Sequence, residues 1–141
     1  MVRILGLDPG EKRIGVAISD SLGITAQGLE VINYTEPAEA FNKIEKICLA
    51  YDVQRIVVGN PLNMSGREGP AAEAARLFAE MLQQKLHLEV IMVDERLSSV
   101  SADKTLAATG AKRKKRRKIK DMLAAALILE TYLSAQQNNC D

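Results

Sequence analysis

The sequence contains few of the residues on which several common kinds of functional site depend. Its 141 residues include two cysteines, one histidine and no tryptophan. Cys48 and Cys140 are too few and too far apart for a disulfide framework or a zinc cluster, and we predict that Cys48 packs on a helix face. The single histidine, His87, is predicted to be a surface or helix C-cap residue. No histidine is therefore evident as a general base, or as the partner of a serine or cysteine nucleophile.

Long hydrophobic runs are also missing. The longest apolar stretch covers residues 122–129, far short of the roughly 20 residues that span a bilayer. The N-terminus enters a predicted strand at once, which does not fit a secretory signal. Hydrophobic residues at 47% and charged residues at 26% are typical of a soluble globular protein. These features predict a single cytoplasmic domain, residues 1–141, that is large enough to bury a core.

Acidic residues are absent from one strongly basic segment. Residues 112–120 include eight basic residues, and subtracting their charge from the net charge of +1 leaves −7 for the rest. Seven consecutive cations repel one another unless an anion relieves them. Nucleic acid, another polyanion or a targeting role is therefore favoured over a merely solvated loop, an alternative that stays open. The predicted nucleic-acid contacts in this basic loop, residues 111–118, are Lys112, Arg113, Lys114, Lys115, Arg116, Arg117 and Lys118.

Hydrophobic periodicity predicts alternating strands and helices. The predicted strands cover residues 3–8, 13–19, about 24–33, 55–59 and 89–94. The predicted helices cover residues 37–51, 70–86, 98–109 and about 119–136, followed by a polar tail, 135–141. The side chains predicted to face the core are Phe41, Ile44, Ile47, Cys48 and Tyr51 in the first helix, and Ala74, Leu77, Phe78, Met81, Leu82 and Leu86 in the second.

This order of elements predicts an α/β fold. Three consecutive strands joined by short turns form an antiparallel meander, and the following β-α-β crossovers add two parallel strands. The result is a mixed five-stranded sheet flanked by helices. Active sites in such sheets gather at the carboxyl ends of the parallel strands. Asp8 and Glu95 both fall at such ends.

Three dispersed acids, Asp8, Glu95 and Asp121, are the candidate site. A carboxylate at the end of a buried strand is costly unless a cation meets it. Each acid also has a local explanation: Asp8 as a turn residue, Asp121 as an acid in a helix first turn, and Glu95 as an ion-pair partner of Arg96. Asp94 and Glu95 point to opposite faces of their strand, and because both faces are apolar, periodicity does not choose between them.

Four segments resemble, in order and spacing, the YqgF family of RuvC-like proteins. They are ILGLDPGEKRIGVAISD, VVGNPLNMSGREGP, VDERLSS and KIKDMLAAALILETYL, and they cover nearly the whole chain. The resemblance implies a ribonuclease H-like fold, with Asp8, Glu95 and Asp121 as catalytic acids. It also implies a Holliday junction resolvase, or a nuclease for the 5′ end of pre-16S ribosomal RNA. One departure is that RuvC resolvases place an acid at the end of the fourth strand, where this chain has Asn60.

A second binding element is the glycine-rich loop after the fourth strand, residues 59–70. Its three glycines allow a close approach of the backbone, and it leads into a helix N-terminus, where amides favour an anion. A flexible connector is the alternative explanation. Lys12, Arg13 and Arg67 are further candidates for phosphate contacts. The chain has only five aromatic residues, which argues against base stacking and favours readout of backbone and shape.

The sequence therefore predicts a metal-dependent endonuclease of structured nucleic acid. Mg²⁺ or Mn²⁺ suits three carboxylates, and an ion-activated water is the expected nucleophile. Precursor ribosomal RNA is the preferred substrate and a Holliday junction the alternative. An ATPase of the actin and sugar-kinase type needs two such domains, for which 141 residues are too few. A non-catalytic nucleic-acid-binding module remains open, as does the choice between a monomer and a homodimer.

Overall fold

A computed structural model describes residues 3–10, 12–60, 69–94 and 113–138. The elements agree closely with those predicted from periodicity. The strands are β1 (Arg3–Pro9), β2 (Arg13–Ser19), β3 (Ala26–Asn33), β4 (Val53–Asn60) and β5 (Glu89–Asp94). The helices are α1 (Pro37–Tyr51), α2 (Pro70–Leu86) and α3 (Arg113–Asn138). The predicted helix 98–109 lies outside the described residues.

The five strands form one mixed sheet in the order β3-β2-β1-β4-β5. β1, β2 and β3 pair antiparallel, whereas β4 pairs parallel to both β1 and β5. The predicted fold class is confirmed. The arrangement brings the carboxyl ends of β1, β4 and β5 to one edge of the sheet, where Asp8, Asn60 and Asp94 lie.

The sheet separates two hydrophobic cores. Leu5 and Leu7 of β1 belong to the core under α1 and α2, whereas Ile4 belongs to the core under α3. Because successive strand residues point to opposite faces, Gly6 and Asp8 share the α3 face with Ile4. A Cβ on Gly6 would lie 2.8 Å from the Leu129 Cβ, so α3 packs directly on the backbone of β1.

Helix α2 is rotated relative to its predicted orientation. Its buried residues are Ala72, Ala75, Ala79 and Leu82, of which only Leu82 was predicted to be buried. Leu77 and Met81, both predicted to face the core, are 48% and 44% exposed, and Ala74 is exposed too. Phe78 and Leu86 are partly buried and pack against the core as predicted. The small alanines allow α2 to sit close to the sheet, and the bulkier stripe is left beside α1. In α1 the prediction fails only at Tyr51, which is 37% exposed, while Cys48 is buried as predicted.

The last helix begins earlier than predicted. α3 starts at Arg113, so residues 113–118 are helical and the prediction of a basic loop there is wrong. Lysine and arginine are good helix formers, which explains why the segment continues the helix. Asp121 consequently lies in the third turn rather than the first, about 12 Å from the helix start. The N-terminal dipole therefore does not account for this acid, because the effect fades within the first turn.

Two smaller features complete the fold. His87 ends α2 as its C-cap in the left-handed conformation, with φ of 56°, and its backbone N–H donates to the Gln83 carbonyl, as predicted for a C-cap. The predicted polar tail overlaps α3, which continues to Asn138. Within the described ranges, none of the helices is both long and apolar enough to cross a membrane.

Candidate active site at the carboxyl edge of the sheet

Asp8 opens onto a cavity of about 920 Å³ at the end of β1. The cavity lies beside the turn that joins β1 to β2, and the loop between β3 and α1 forms its far wall. Its lining residues are Asp8, Pro9, Gly10, Lys12, Arg13, Asn33, Tyr34, Thr35, Glu39, Lys43 and Asp121. Two of the three predicted acids, Asp8 and Asp121, therefore line the same cavity although 113 positions separate them in the chain.

Gly15 explains how Asp121 approaches Asp8. Gly15 is the direct cross-strand partner of Asp8, and such partners point to the same face of the sheet. A Cβ placed on Gly15 would lie 2.0 Å from the backbone oxygen of Asp121 and 3.3 Å from its Cα. Only a glycine leaves room for the helix at this point. The docking of α3 on Gly15 therefore places the backbone of Asp121 beside Asp8.

Arg13 pairs with the carboxylate of Asp121. Its Nε lies 2.9 Å from Oδ2 of Asp121, and the two side chains are 37% and 20% exposed. The distance is that of an ion pair, but the N–H is not aligned with the oxygen. Among the described residues this buried Oδ2 has no hydrogen-bond partner. The Arg13–Asp121 contact therefore neutralises the charge of the carboxylate but does not give this oxygen a hydrogen bond.

Residues from β3 and α1 close the cavity opposite Asp121. The Tyr34 hydroxyl donates to the Gly10 carbonyl at 2.6 Å, and this bond ties the β1–β2 turn to the end of β3. Lys43 donates to the Asn33 carbonyl at 2.8 Å and forms an ion pair with Glu39 at 3.1 Å. The hydrogen bond from Lys43, followed by that from the Thr35 amide, lowers the pKa of the Glu39 carboxyl.

The sequence did not single out Tyr34, Glu39 or Lys43 as site residues. Glu39 and Lys43 have the i,i+4 spacing of an ordinary surface ion pair on a helix. The register of the β2–β3 hairpin could have indicated that Tyr34 lies near the site. Arg13 pairs with Asn33, and the Tyr34 amide donates to the Lys12 carbonyl at 3.1 Å, so the end of β3 must lie beside the β1–β2 turn.

Asn60 and Asp94 end the next two strands but point away from Asp8. They are paired in register, and alternation places them with Val58 and Met92 on the α1 and α2 face. Asp94 is therefore not the strand-end acid that shares the face of Asp8. The Asn60 side-chain oxygen is buried and has no hydrogen-bond partner in the described part of the chain. Asn60 thus brings a neutral oxygen to this edge.

Several predicted site residues lie outside the described ranges. Glu95, Arg67 and Lys112 are among them, as are residues 61–68 of the glycine-rich loop. Of the predicted contacts in the basic segment 112–118, the side chains of Arg117 and Lys118 are described, and both are exposed. Within the described residues, histidine, cysteine, aspartate and glutamate form no group of three that suits a metal ion. The structure thus describes two acids of the predicted triad.

The direction of α3 relates the basic segment to the cavity. Asp121 contacts Gly15 beside the end of β1, and Ala125 and Leu129 contact Gly6 further back. The helix therefore runs opposite to β1, and its first turns extend beyond the edge that holds Asp8. At about 1.5 Å per residue, Arg117 lies roughly 6 Å along the axis beyond Asp121. Residues 113–118 thus form a cationic helical extension next to the cavity.

Residues 2–135 match the family model RuvX, described as Holliday junction resolvase. A Bacillus cytotoxicus protein named "Putative pre-16S rRNA nuclease" is 47% identical over 96% of this chain and all of its own length. A Listeria innocua protein of the same name is 45% identical over 94% of this chain and 97% of its own.

The structural neighbours include junction resolvases. Thermus thermophilus RuvC in complex with Holliday junction substrate has a TM-score of 0.60 at 14% identity, and the match covers 97% of this chain and 96% of RuvC. The Fowlpox virus resolvase in complex with Holliday junction DNA has a TM-score of 0.59 at 12% identity, with coverage of 96% and 99%. At such identities the likeness establishes the fold. The chain therefore has the ribonuclease H-like fold and belongs to the RuvX family.

Proposed function

We propose that this protein is a divalent-metal-dependent endonuclease that processes the 5′ end of pre-16S ribosomal RNA in the cytoplasm. One observation carries the proposal. The contact between α3 and Gly15 places Asp121 beside Asp8 in a cavity that Lys12 and Arg13 also line. Paired acids beside cations match the needs of phosphodiester cleavage, in which a metal ion and the phosphate must occupy the same site.

The donor set fits a hard divalent cation. Carboxylate oxygens are the ligands that Mg²⁺ prefers, and Oδ2 of Asp121 is buried with no aligned hydrogen bond among the described residues. Asp8 and Asp121, with Glu95 as the predicted third acid, would hold the ion. Glu95 is preferred to Asp94 because Asp94 points to the face opposite Asp8. A bound ion would supply Lewis-acid neutralisation of the phosphate and activation of water.

The remaining residues of the cavity position the nucleic acid. Lys12 lies exposed at the rim of the cavity, where it could contact a phosphate. Arg13 is ion-paired with Asp121 and would contact a phosphate only after leaving that pair. The cationic helical extension, residues 113–118, supplies further charge beyond the same edge. Phosphate contacts of this kind fix the register of a strand without reading its sequence. The nucleic-acid backbone would therefore be held at the cavity by Lys12 and Arg13 on one side and by residues 113–118 on the other.

Ribosomal RNA is the proposed substrate because the Bacillus cytotoxicus and Listeria innocua relatives carry that name at 47% and 45% identity over nearly their whole length. The second candidate is cleavage of a Holliday junction, which the description of the family model favours. The two candidates share the same chemistry at the same acids. They differ in whether the bound strand belongs to RNA or to branched DNA.

A cleavage assay with matched substrates tests the proposal. Purified protein would be incubated with Mg²⁺ or Mn²⁺ and with three substrates: an RNA spanning the 5′ end of 16S rRNA in its precursor, a DNA duplex and a four-way DNA junction. We expect metal-dependent cleavage of the RNA that chelation abolishes and that Asp8→Asn lacks. Preferential cleavage of the junction would show that the substrate is branched DNA and not ribosomal RNA. Binding without metal-dependent cleavage of any substrate would leave a binding module and defeat the nuclease proposal.

A further inference from the structure

A second cavity, about 660 Å³ in volume, opens next to the first one. It is a groove between the N-terminal halves of α1 and α2, and it shares Pro9, Gly10 and Tyr34 with the cavity that contains Asp8. From α1 and α2, its lining includes Phe41, Leu77, Phe78 and Met81. Among the described residues, the part of the groove away from the Asp8 cavity is therefore lined by apolar side chains.

The exposed stripe of α2 is what makes this groove apolar. Leu77 and Met81 are 48% and 44% exposed, whereas the contribution of α2 to the core is made by Ala79 and Leu82 with the partly buried Phe78 and Leu86. The floor is the stacked pair Phe41 and Phe78, whose ring centres are 5.4 Å apart. An exposed apolar patch that adjoins a polar cavity is the kind of surface that marks a ligand-binding groove.

Together, the two cavities are chemically complementary to a nucleotide. The first is lined by Lys12 and Arg13, which suit a phosphate, and the second has an apolar lining and a volume that suits a nucleoside. Tyr34 stands between them, held by its hydrogen bond to the Gly10 carbonyl. Three of the five aromatic residues of the chain, Tyr34, Phe41 and Phe78, line this one groove.

We propose that the groove binds an unpaired nucleobase of the strand whose phosphate lies in the Asp8 cavity. This inference rests on the proposed function and narrows its substrate. A strand with a base unstacked next to the scissile phosphate is accepted, whereas a continuous duplex leaves the groove empty. The base contacts the exposed Leu77 and Met81 side chains and the edge of the aromatic floor. These contacts tolerate any base, because apolar packing reads no hydrogen-bond pattern.

The test measures binding without metal, so that cleavage does not enter. The probes are a short single-stranded RNA with one 2-aminopurine and the same RNA annealed into a blunt duplex, both in chelator. Leu77→Glu and Met81→Glu place a charge in the groove. Leu49→Glu is the matched control, because Leu49 is 77% exposed on α1 but does not line the groove. Leu77→Ala and Met81→Ala remove the apolar packing without adding charge.

We expect the groove variants to bind single-stranded RNA about five- to a hundred-fold more weakly, the range for removal of stacking on one base. Their affinity for the duplex should match that of Leu49→Glu. The fluorescence of 2-aminopurine should change when the wild type binds the single strand but not when the groove variants do. Unaltered single-strand affinity, or an equal loss for the duplex, overturns the inference. A dimer seen by sedimentation and abolished only in the groove variants also overturns it, by assigning the groove to a second copy.

The outcomes separate this inference from the proposed function. A protein that binds the base in the groove but does not cleave RNA with Mg²⁺ keeps the inference and loses the nuclease mechanism. A protein that cleaves duplex and single strand alike, with groove variants as active as the wild type, keeps the mechanism and loses the inference.

Discussion

The Nε atom of Arg13 lies 2.9 Å from Oδ2 of Asp121, so a cation of the protein itself contacts this acid, and both residues line the cavity. The contact joins β2 to α3 next to Gly15, where the helix backbone touches the strand. A metal ion and Arg13 would compete for the same carboxylate, since both neutralise it. Binding of a metal ion would then free the guanidinium for a phosphate.

We therefore predict that Arg13→Gln raises the affinity for Mn²⁺ while it lowers the affinity for nucleic acid. The gain should be at most about five-fold, because half-exposed ion pairs contribute about 0.2–1 kcal/mol. Titration calorimetry with Mn²⁺ in the absence of RNA measures the first effect. Arg76→Gln is the matched control, since Arg76 pairs with Glu80 at 3.2 Å on α2, away from the cavity. Unchanged Mn²⁺ affinity with weaker RNA binding would make Arg13 a phosphate ligand only.

Asp8→Asn separates cleavage from binding. The change removes a ligand charge and keeps the size of the side chain, so we expect cleavage to fall by several orders of magnitude. Binding should persist or tighten, because a negative charge near phosphate is removed. Single-turnover cleavage and filter binding measure the two effects.

Asp94→Asn is the natural comparison, because Asp94 ends β5, two strands from β1, and points to the opposite face. It should have much less effect on cleavage than Asp8→Asn. Equal losses in both variants would mean either that Asp94 takes part in the site or that both changes reduce the stability of the fold. Thermal unfolding of the two variants distinguishes these explanations. Full activity of Asp8→Asn would refute the mechanism.

Changing Lys114, Lys115, Arg116 and Arg117 to alanine tests the cationic helical extension. Affinity for nucleic acid should fall across sequences, because phosphate contacts do not read bases. The slope of log K against log salt should become shallower by about 0.7–0.9 for each phosphate that the protein no longer neutralises. Alanine preserves the helix, so α3 should stay folded. If affinity and slope match those of Lys46→Ala on α1, the segment is a solvated surface.

Gly15→Ala tests the contact that brings the two acids together. The added Cβ would lie 2.0 Å from the Asp121 backbone oxygen, so α3 or β2 must move. We expect a decrease of about 1–3 kcal/mol in the free energy of unfolding, as for other overpacked sites, and a larger decrease in cleavage. Gly69→Ala is the control, because no atom of the described residues lies within 4 Å of its added Cβ. Similar stability and activity for both variants would show that the contact does not position Asp121.

Cys48 offers a prediction about pH. Burial, with a smaller contribution from Glu45, raises the pKa of its thiol from 9.0 to about 11. The folded protein therefore keeps this thiol neutral at a pH where the unfolded chain ionises it. The stability that this provides is complete below pH 9 and is lost as pH rises from about 9 to 11.

In a Cys140→Ser background, Cys48 should react with a disulfide reagent at pH 8 only after urea unfolds the protein. The free energy of unfolding should also fall more steeply above pH 9 than in Cys48→Ala. Rapid labelling of the folded protein would contradict the assigned burial and pKa.

The sequence by itself determined most of the strands and helices and drew attention to Asp8. Strand and helix bounds follow from local patterns, as at α1, where Pro37 begins the helix and the predicted and observed ranges coincide. Asp8 stood out because a carboxylate at the end of a buried strand requires a local reason. The mixed sheet followed from the order of short turns and crossovers, which depend on connection length.

Only the tertiary structure decided which faces meet. α2 carries an alanine stripe and a bulkier apolar stripe, and periodicity does not tell which one packs on the sheet. Likewise, both faces of β5 are apolar, and Asp94 was separated from Asp8 only by the pairing of β5 with β4 and the position of α3. The start of α3 was missed because a run of cations suggests a loop, while their helix propensity favours continuation. Each of these choices depends on contacts between residues distant in sequence, which local patterns do not encode.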